Sequence, residues 1–384
     1  MIKFLRISSI YSGFLYEINK KINIHDSYEK IINSIFKEQY SVSNYITEEL
    51  SKKNYQCTEV IHNYKLLQDK WLEKYGKKNT EKTILQQIRF YNPDVLFLGD
   101  INLITEFTIK KIKKISNVKL VLCFHCAPFK KKQIEKLEEV DAVITCTKGY
   151  KQKILNIINK DIHIMHHAYK NDENKLEDNN DRNIDVSFIG SLFLNKSLHT
   201  GRIDIVYELI KKYKNNYVAI NFSKYFFIEL FYFIFKLLIS FKVISSFKTF
   251  YKILYIYIFS KKAIYGKNMY RILKKTKILI NKHIEDTEFA GNMRLFEATG
   301  SGCLLVTDNK KDIDKFFNIN EEVVVFNDKE DLIDKINFYL NSQEQLKNIA
   351  NNGKKKTISI HNYKNRVNEL DIFIRKKLAN NENL

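Results

Sequence analysis

Twice along this chain, short apolar runs alternate with amphipathic stretches, and a polar break separates the two series. No other feature constrains the fold as strongly. An apolar run too short for a helix, followed repeatedly by a helix-period segment, signals βαβ units whose parallel strands are buried on both faces. In the first series, strands are predicted at 2–8, 57–62, 94–100, 118–125, 142–146 and 162–168. Helices are predicted around 41–53, before Pro93, through 105–115, from Lys130 and from Lys148. Residues 170–183 are rich in Asn, Asp and Glu without apolar period, which reads as a linker. The second series predicts strands at 184–190, 217–220, 277–281, 303–308 and 321–326, with helices at 201–213, 292–299 and 329–341. A length of 384 residues suits two domains. The expected fold class is α/β, with two Rossmann-like domains whose parallel sheets face each other across a cleft. The expected boundaries are 1–170, a linker at 171–183, a second domain at 184–355, and a helical segment at 356–384 that crosses back toward the first domain.

Charge narrows the partners. The 64 basic residues exceed the 44 acidic ones for a formal net of +20, which raises the local concentration of any anion. A compositional bias toward Lys, spread over every solvated face, explains the same excess. Nucleic acid is not expected as a partner, because the basic residues are dispersed and no helix-turn-helix, zinc-finger or RNA-binding motif accompanies them. The five cysteines lack framework spacing and suit a reducing compartment. Cys123 and Cys126 have redox or metal spacing, but no second such pair completes a zinc site, and apolar neighbours favour a core role. The first residues read as a strand, not a signal peptide, so the expected location is cytoplasmic, or peripheral on the inner face of a membrane.

One stretch stands apart. Residues 224–260 are aromatic and aliphatic, with Lys236, Lys242, Lys248 and Lys252 spaced among them. Charges interrupt every window long enough to span a bilayer. Two readings remain open: a helix lying in an anionic membrane interface, and helices filling the second domain's core.

The chemistry concentrates between Tyr265 and Asp308. A predicted strand ends at Asn281-Lys282-His283, and a loop carrying Glu285, Asp286 and Glu288 follows. Gly291-Asn292 then opens a helix that stops at Gly300-Ser301-Gly302, before the next strand. A helix N-terminus at the carboxyl edge of a parallel sheet offers free N–H groups and a favourable dipole to a diphosphate. Arg294 in the first turn has the donor fork to clamp phosphate oxygens. Glu297, one turn on and on the same face, can accept hydrogen bonds from vicinal ribose hydroxyls. An i,i+3 ion pair between the two is the plainer alternative.

The run from Asn292 to Asp308 resembles the signature of the CgeB-type (spore-maturation-like) branch of GT-B glycosyltransferases, among the group 1 glycosyl transferases. There, Arg-x-Phe-Glu-x-x-x-x-Gly precedes a Leu-Leu-x-Thr-Asp strand. The approach through Asn281-x-His283 and the closing Gly353, His361, Tyr363 and Arg366 are similar to that family as well. The resemblance is specific over about residues 262–375 and looser elsewhere. It implies a GT-B fold, a nucleotide-sugar donor held by the C-terminal domain, and transfer to a glycan or lipid-linked acceptor. Glu297 matches the second acid of the Glu-x7-Glu motif of related retaining enzymes. The first falls on Phe289, with Glu288 one position away. Arg294, Glu297 and His125, which ends the strand 118–125, are the implied catalytic positions. The implied donor contacts are Gly190, Ser191, Arg202, His283, Glu288, Gly291, Asn292 and Met293, with Lys196 as a further cation. Gly99-Asp100 is placed on the acceptor side, and His166-His167 at the cleft or the hinge.

No cofactor or metal is expected, because helix-terminal N–H groups and Arg or Lys can stabilise a leaving diphosphate. Asp312 and Asp314 have the spacing of a metal clamp but read as a solvated turn. The alternative function is a sugar-nucleotide epimerase or a non-catalytic nucleotide-sugar-binding protein of the same shape.

Overall fold

A computed structural model describes residues 1–41, 43–77, 81–105, 109–170, 181–194, 199–223, 226–239 and 243–382. The chain divides into two compact units, Met1–His166 with Tyr363–Leu384, and His167–Asn362. The final helix, Tyr363–Glu382, therefore belongs with the first unit.

The first unit is built on strands β1 (Ile2–Ser8), β2 (Tyr55–Ile61), β3 (Val95–Leu98), β4 (Leu120–Phe124), β5 (Ala142–Thr145) and β6 (Ile162–Ile164), in the order β2-β1-β3-β4-β5-β6. Every pairing is parallel. Leu5, Ile7, Leu96, Leu98, Val121 and Val143 carry much of its core, all buried. Helices at Ser12–Asn19, Tyr28–Lys37 and Lys65–Tyr75 lie where no helix is predicted. The middle one begins at a Ser27 cap whose hydroxyl accepts from the Lys30 N–H, a local signal that an apolar-period reading overlooks. Contrary to the expectation of free core thiols, Cys126 and Cys146 form a disulfide, with Cα atoms 5.5 Å apart. Their spacing in sequence is uninformative because the bridge joins the ends of β4 and β5, which are neighbours in the sheet.

The second unit holds β7 (Ile184–Leu192), β8 (Asn216–Phe222), β9 (Lys261–Lys262), β10 (Thr276–Asn281), β11 (Leu304–Asp308) and β12 (Val324–Phe326). Their order is β12-β11-β10-β7-β8-β9, again all parallel. Successive strand residues feed opposite faces. Val186, Phe188, Ile278, Ile280, Leu304 and Val306 pack under helices Arg202–Lys212, Val243–Phe259 and Lys329–Asn341. Ala219, Leu279 and Leu305 pack under helices Gly266–Lys275 and Met293–Gly300. Burial on both faces explains why these strands read as unbroken apolar runs. The chain winds outward in opposite directions from β7 and from β10, so the boundary between these two neighbours is the switch point where open α/β sheets bind ligands.

Candidate functional site at the switch point of the second sheet

At the carboxyl edge of β10 and β11, sheet register builds the site. Asn281 stands opposite Thr307, so its amide donates to the Thr307 hydroxyl oxygen at 2.9 Å. The Asn292 amide in turn donates to Asn281 Oδ1 at 2.8 Å, tying the start of helix 293–300 to the strand end. Asp308, one residue beyond Thr307, accepts from the His283 backbone N–H at 2.9 Å and lies 2.7 Å from His283 Nδ1. A carboxylate only accepts, so Nδ1–H donates to it and Nε2 is the ring atom left free of that pair. Burial alone would raise the Asp308 carboxyl. The His283 hydrogen bonds and the Lys282 charge outweigh burial and hold it well below the usual carboxylate range.

Two polar atoms here are buried with no hydrogen-bond partner among the described residues: His283 Nε2 and Asn292 Oδ1. Buried polar atoms are normally satisfied, so each of these two calls for a partner from outside the described residues, a water or a ligand atom. They flank a helix start whose cap residue, Asn292, makes no side-chain cap hydrogen bond, so the first-turn N–H groups lack that partner. Gly291, just before the cap, has φ 131°, which a side chain would strain. Met293, part-exposed, is the first helical residue.

Arg294 and Glu297 share one face and pair at 2.7 Å. Glu297 is buried, and burial raises its carboxyl above the ordinary value, opposed by the Arg294 charge. The plain ion pair is what the structure shows, with a buried acid and a part-buried guanidinium beside the helix start.

Other predicted residues are placed differently. Arg202 is buried and spans the strand ends. It donates from Nη1 to the Ser191 carbonyl at 2.7 Å and from Nη2 and Nε to the Lys282 carbonyl at 2.8 and 3.1 Å. Burial lowers its guanidinium to about 10, against the pull of Glu285 and Asp308. It clamps β7 to β10, with its donors turned to carbonyls. Gly190 precedes that clamp, and a β-carbon there would come within 3.0 Å of the Phe188 ring. Glu288 is exposed and pairs with Lys311 at 2.5 Å. Glu285 accepts from the Gly201 N–H at 2.9 Å, tying the loop after β10 to the start of helix 202–212. Asp312 accepts from the Ala290 N–H at 3.0 Å, a turn role. Lys196 lies outside the described residues.

In the first unit, His125 follows β4. Burial lowers its imidazole, and its Nε2 is buried without a hydrogen-bond partner among the described residues. Asp100, after β3, lies 3.7 Å from His62 at the end of β2 and accepts from the Asn102 N–H at 2.9 Å. Burial would raise this carboxyl, but those contacts hold it below its ordinary value. His166 Nδ1 sits 2.7 Å from the Cys146 carbonyl. Sequence reading placed Asn281, Thr307 and Asp308 within the motif but gave them no site role. The available signal was their position at the ends of adjacent predicted strands, where register makes them neighbours.

Solved structures of this fold cover nearly the whole chain. A glycosyltransferase from Rickettsia africae ESF-5 is 13% identical, with a TM-score of 0.55 over 98% of each chain. Anabaena HepE in complex with UDP-glucose is 8% identical, with a TM-score of 0.62 over 98% of this chain and 100% of that one. Sucrose-phosphate synthase from Thermosynechococcus elongatus is 8% identical, with a TM-score of 0.59 over 99% and 100%. At these identities the likeness defines the fold: two Rossmann-like units of the GT-B class. A family model described as glycosyl transferase-like matches residues 235–371, which include the whole His283–Asp308 site. No curated protein sequence matches the chain.

Proposed function

We propose that this chain is a GT-B glycosyltransferase that moves a sugar from a nucleoside-diphosphate sugar to a glycan or lipid-linked acceptor in surface glycan or glycoconjugate synthesis. The observation that carries this reading is the pair of buried, unpartnered polar atoms, His283 Nε2 and Asn292 Oδ1, beside the helix start at the switch point. The diphosphate meets the N–H groups of Met293 and Arg294 and the Arg294 guanidinium, which stabilise the charge that grows as the bond from sugar to diphosphate breaks. Glu297 accepts from the ribose hydroxyls, and His283 Nε2 and Asn292 Oδ1 contact the donor's sugar or phosphate. The acceptor oxygen bonds to the anomeric carbon as the bond to the diphosphate breaks, and its proton passes to the departing diphosphate. His125 and Asp100, at the carboxyl edge of the first sheet, are assigned to the sugar or the acceptor. Transfer proceeds without a bound cofactor or metal, since cationic and N–H donors meet the diphosphate. We place the protein in the cytoplasm, with an anionic membrane surface as a further partner, and within the CgeB-type branch. The family-model match favours transfer over the epimerase or binding-protein alternative.

The test is a thermal-shift series over nucleoside-diphosphate sugars, followed by release of nucleoside diphosphate with water or glycan as acceptor. One donor should raise the Tm through binding to the native state. Glu297→Gln and Arg294→Ala should each lower the rate about 100–1000-fold with unchanged melting. EDTA should leave the rate unchanged. Rates within threefold of wild type in both variants refute the assignment, and loss in EDTA with recovery in Mn²⁺ refutes metal independence.

A further inference from the structure

In a doubly wound sheet, one crossover helix suffices between β8 and β9. Here helix Val243–Phe259 does that work: Ile253 and Ile256 are fully buried against the sheet. A second helix, Phe226–Ile239, is laid on it, with Phe226 stacked on Tyr257 at 4.8 Å and Leu230 buried. Its other side carries Phe227, Ile228, Phe231, Tyr232 and Phe235, all exposed, with Phe231 76% accessible. Spacings of one, four, five and eight residues place these side chains on one helical stripe. On helix 243–259, Phe247, Tyr251 and Ile258 form a second exposed stripe. Scattered exposed apolar residues are ordinary on a monomer, but contiguous aromatic stripes are not.

Charge selects the occupant. Residues 226–262 contain six lysines, no arginine and a single acid, Glu229, which is buried. Lys248, Lys261 and Lys262 are exposed. Protein–protein interfaces are enriched in Arg and depleted in Lys, whereas Lys with Phe and Tyr is the composition of helices at lipid headgroups. No helix among the described residues is long and apolar enough to cross a membrane, so the pair lies on the surface rather than spanning it. Lys252 is not available for headgroups: it pairs with Asp204 and sits 5.7 Å from the Tyr207 ring.

We propose that the outward aromatic stripes of helices 226–239 and 243–259 dock the second unit into the interface of an anionic lipid bilayer. Core packing and membrane docking are thus divided between opposite faces of the same helices. The inference stands on the exposed stripes and their charge, independently of the nucleotide-sugar site.

The test is flotation of the full chain with phosphatidylcholine vesicles, with and without phosphatidylglycerol. Wild type should float with the anionic vesicles at low salt and less so as salt rises. A variant with Phe227, Phe231 and Phe235 changed to Ser should bind at least ~10-fold more weakly. Its melting and its response to nucleotide-sugars in solution should match wild type, because all three side chains are exposed. Lys248→Gln with Lys261→Gln and Lys262→Gln should weaken binding to anionic vesicles only. A protein that stays with the soluble fraction overturns the proposal. So does equal flotation of the Phe variant, or self-association abolished by that variant without any vesicle binding, which would assign the stripes to a protein partner.

Discussion

At the residue scale, Asp308 is the side chain on which the proposed donor site turns, although it need not touch the donor. It fixes the His283 ring through Nδ1 and the backbone N–H, and so decides which nitrogen faces a ligand. Asp308→Asn removes the charge and allows the amide to donate to the ring, turning the tautomer around. Nucleotide-sugar affinity should then fall about 10–100-fold, the size of a charge-assisted hydrogen bond. His283→Gln should lose a similar amount, and the double variant little more than either, because the two act as one unit. Isothermal titration of the three variants checks this; additive losses would show that Asp308 merely supports the strand end. Arg202 is the contrasting case, a cation near a predicted phosphate site whose donors are occupied by main-chain carbonyls.

At the element scale, helix 293–300 is held in place from both ends. Asn292 ties its start to β10, and Gly300 lets its last turn close onto Tyr169. A β-carbon at Gly300 would overlap the Tyr169 ring, which is itself buried and edge-on to Tyr270 at 6.1 Å. The glycine is therefore required by close approach, whereas Gly302, with φ 76°, is required by its backbone. Gly300→Ala should destabilise the protein by ~1–3 kcal/mol, the usual cost of overpacking. Urea denaturation checks this, and an unchanged midpoint would mean that Tyr169 yields freely.

At the scale of the whole molecule, two desolvated imidazoles weaken the fold toward acid. His199 is pushed down to about 3 by burial and the Arg202 charge, and His166 to about 4 by burial and the Arg366 charge. Both fold neutral, while in the unfolded chain each takes up a proton below about pH 6.5. The unfolded state then binds more protons, so the stability present above pH 6.5 falls as the pH drops toward the folded-state values. Two such groups contribute at most about 3 kcal/mol per pH unit across that window. Thermal denaturation should show Tm falling from pH 7 to pH 5, with a shallower slope in His199→Gln and His166→Gln. An unaltered slope in the double variant would assign acid sensitivity elsewhere.

Every strand but the short β9, the switch-point helix and the stop at Gly300–Gly302 were legible in the residues, because burial on both faces and helix start signals are local. So was the conjunction of Arg294 and Glu297, since i,i+3 spacing alone puts them on one face. Contacts that depend on which strands become neighbours were not legible. His283 meets Asp308 across 25 positions and Cys126 meets Cys146 across 20, both through sheet pairing that strand order decides. Phe289 and Glu288 show the same limit, since a loop has no period to say which side chain turns inward. Residues 226–259 show it most clearly. Where aromatic and aliphatic residues cover most of a helix, its sequence carries little mark of which side is the core, and the sheet beneath Ile253 and Ile256 selects one face and leaves the other exposed. Local periodicity determined most of the strands and the helix that bears the site; sheet pairing and burial, which exist only after the chain has folded, decided which of the predicted residues meet and which face solvent.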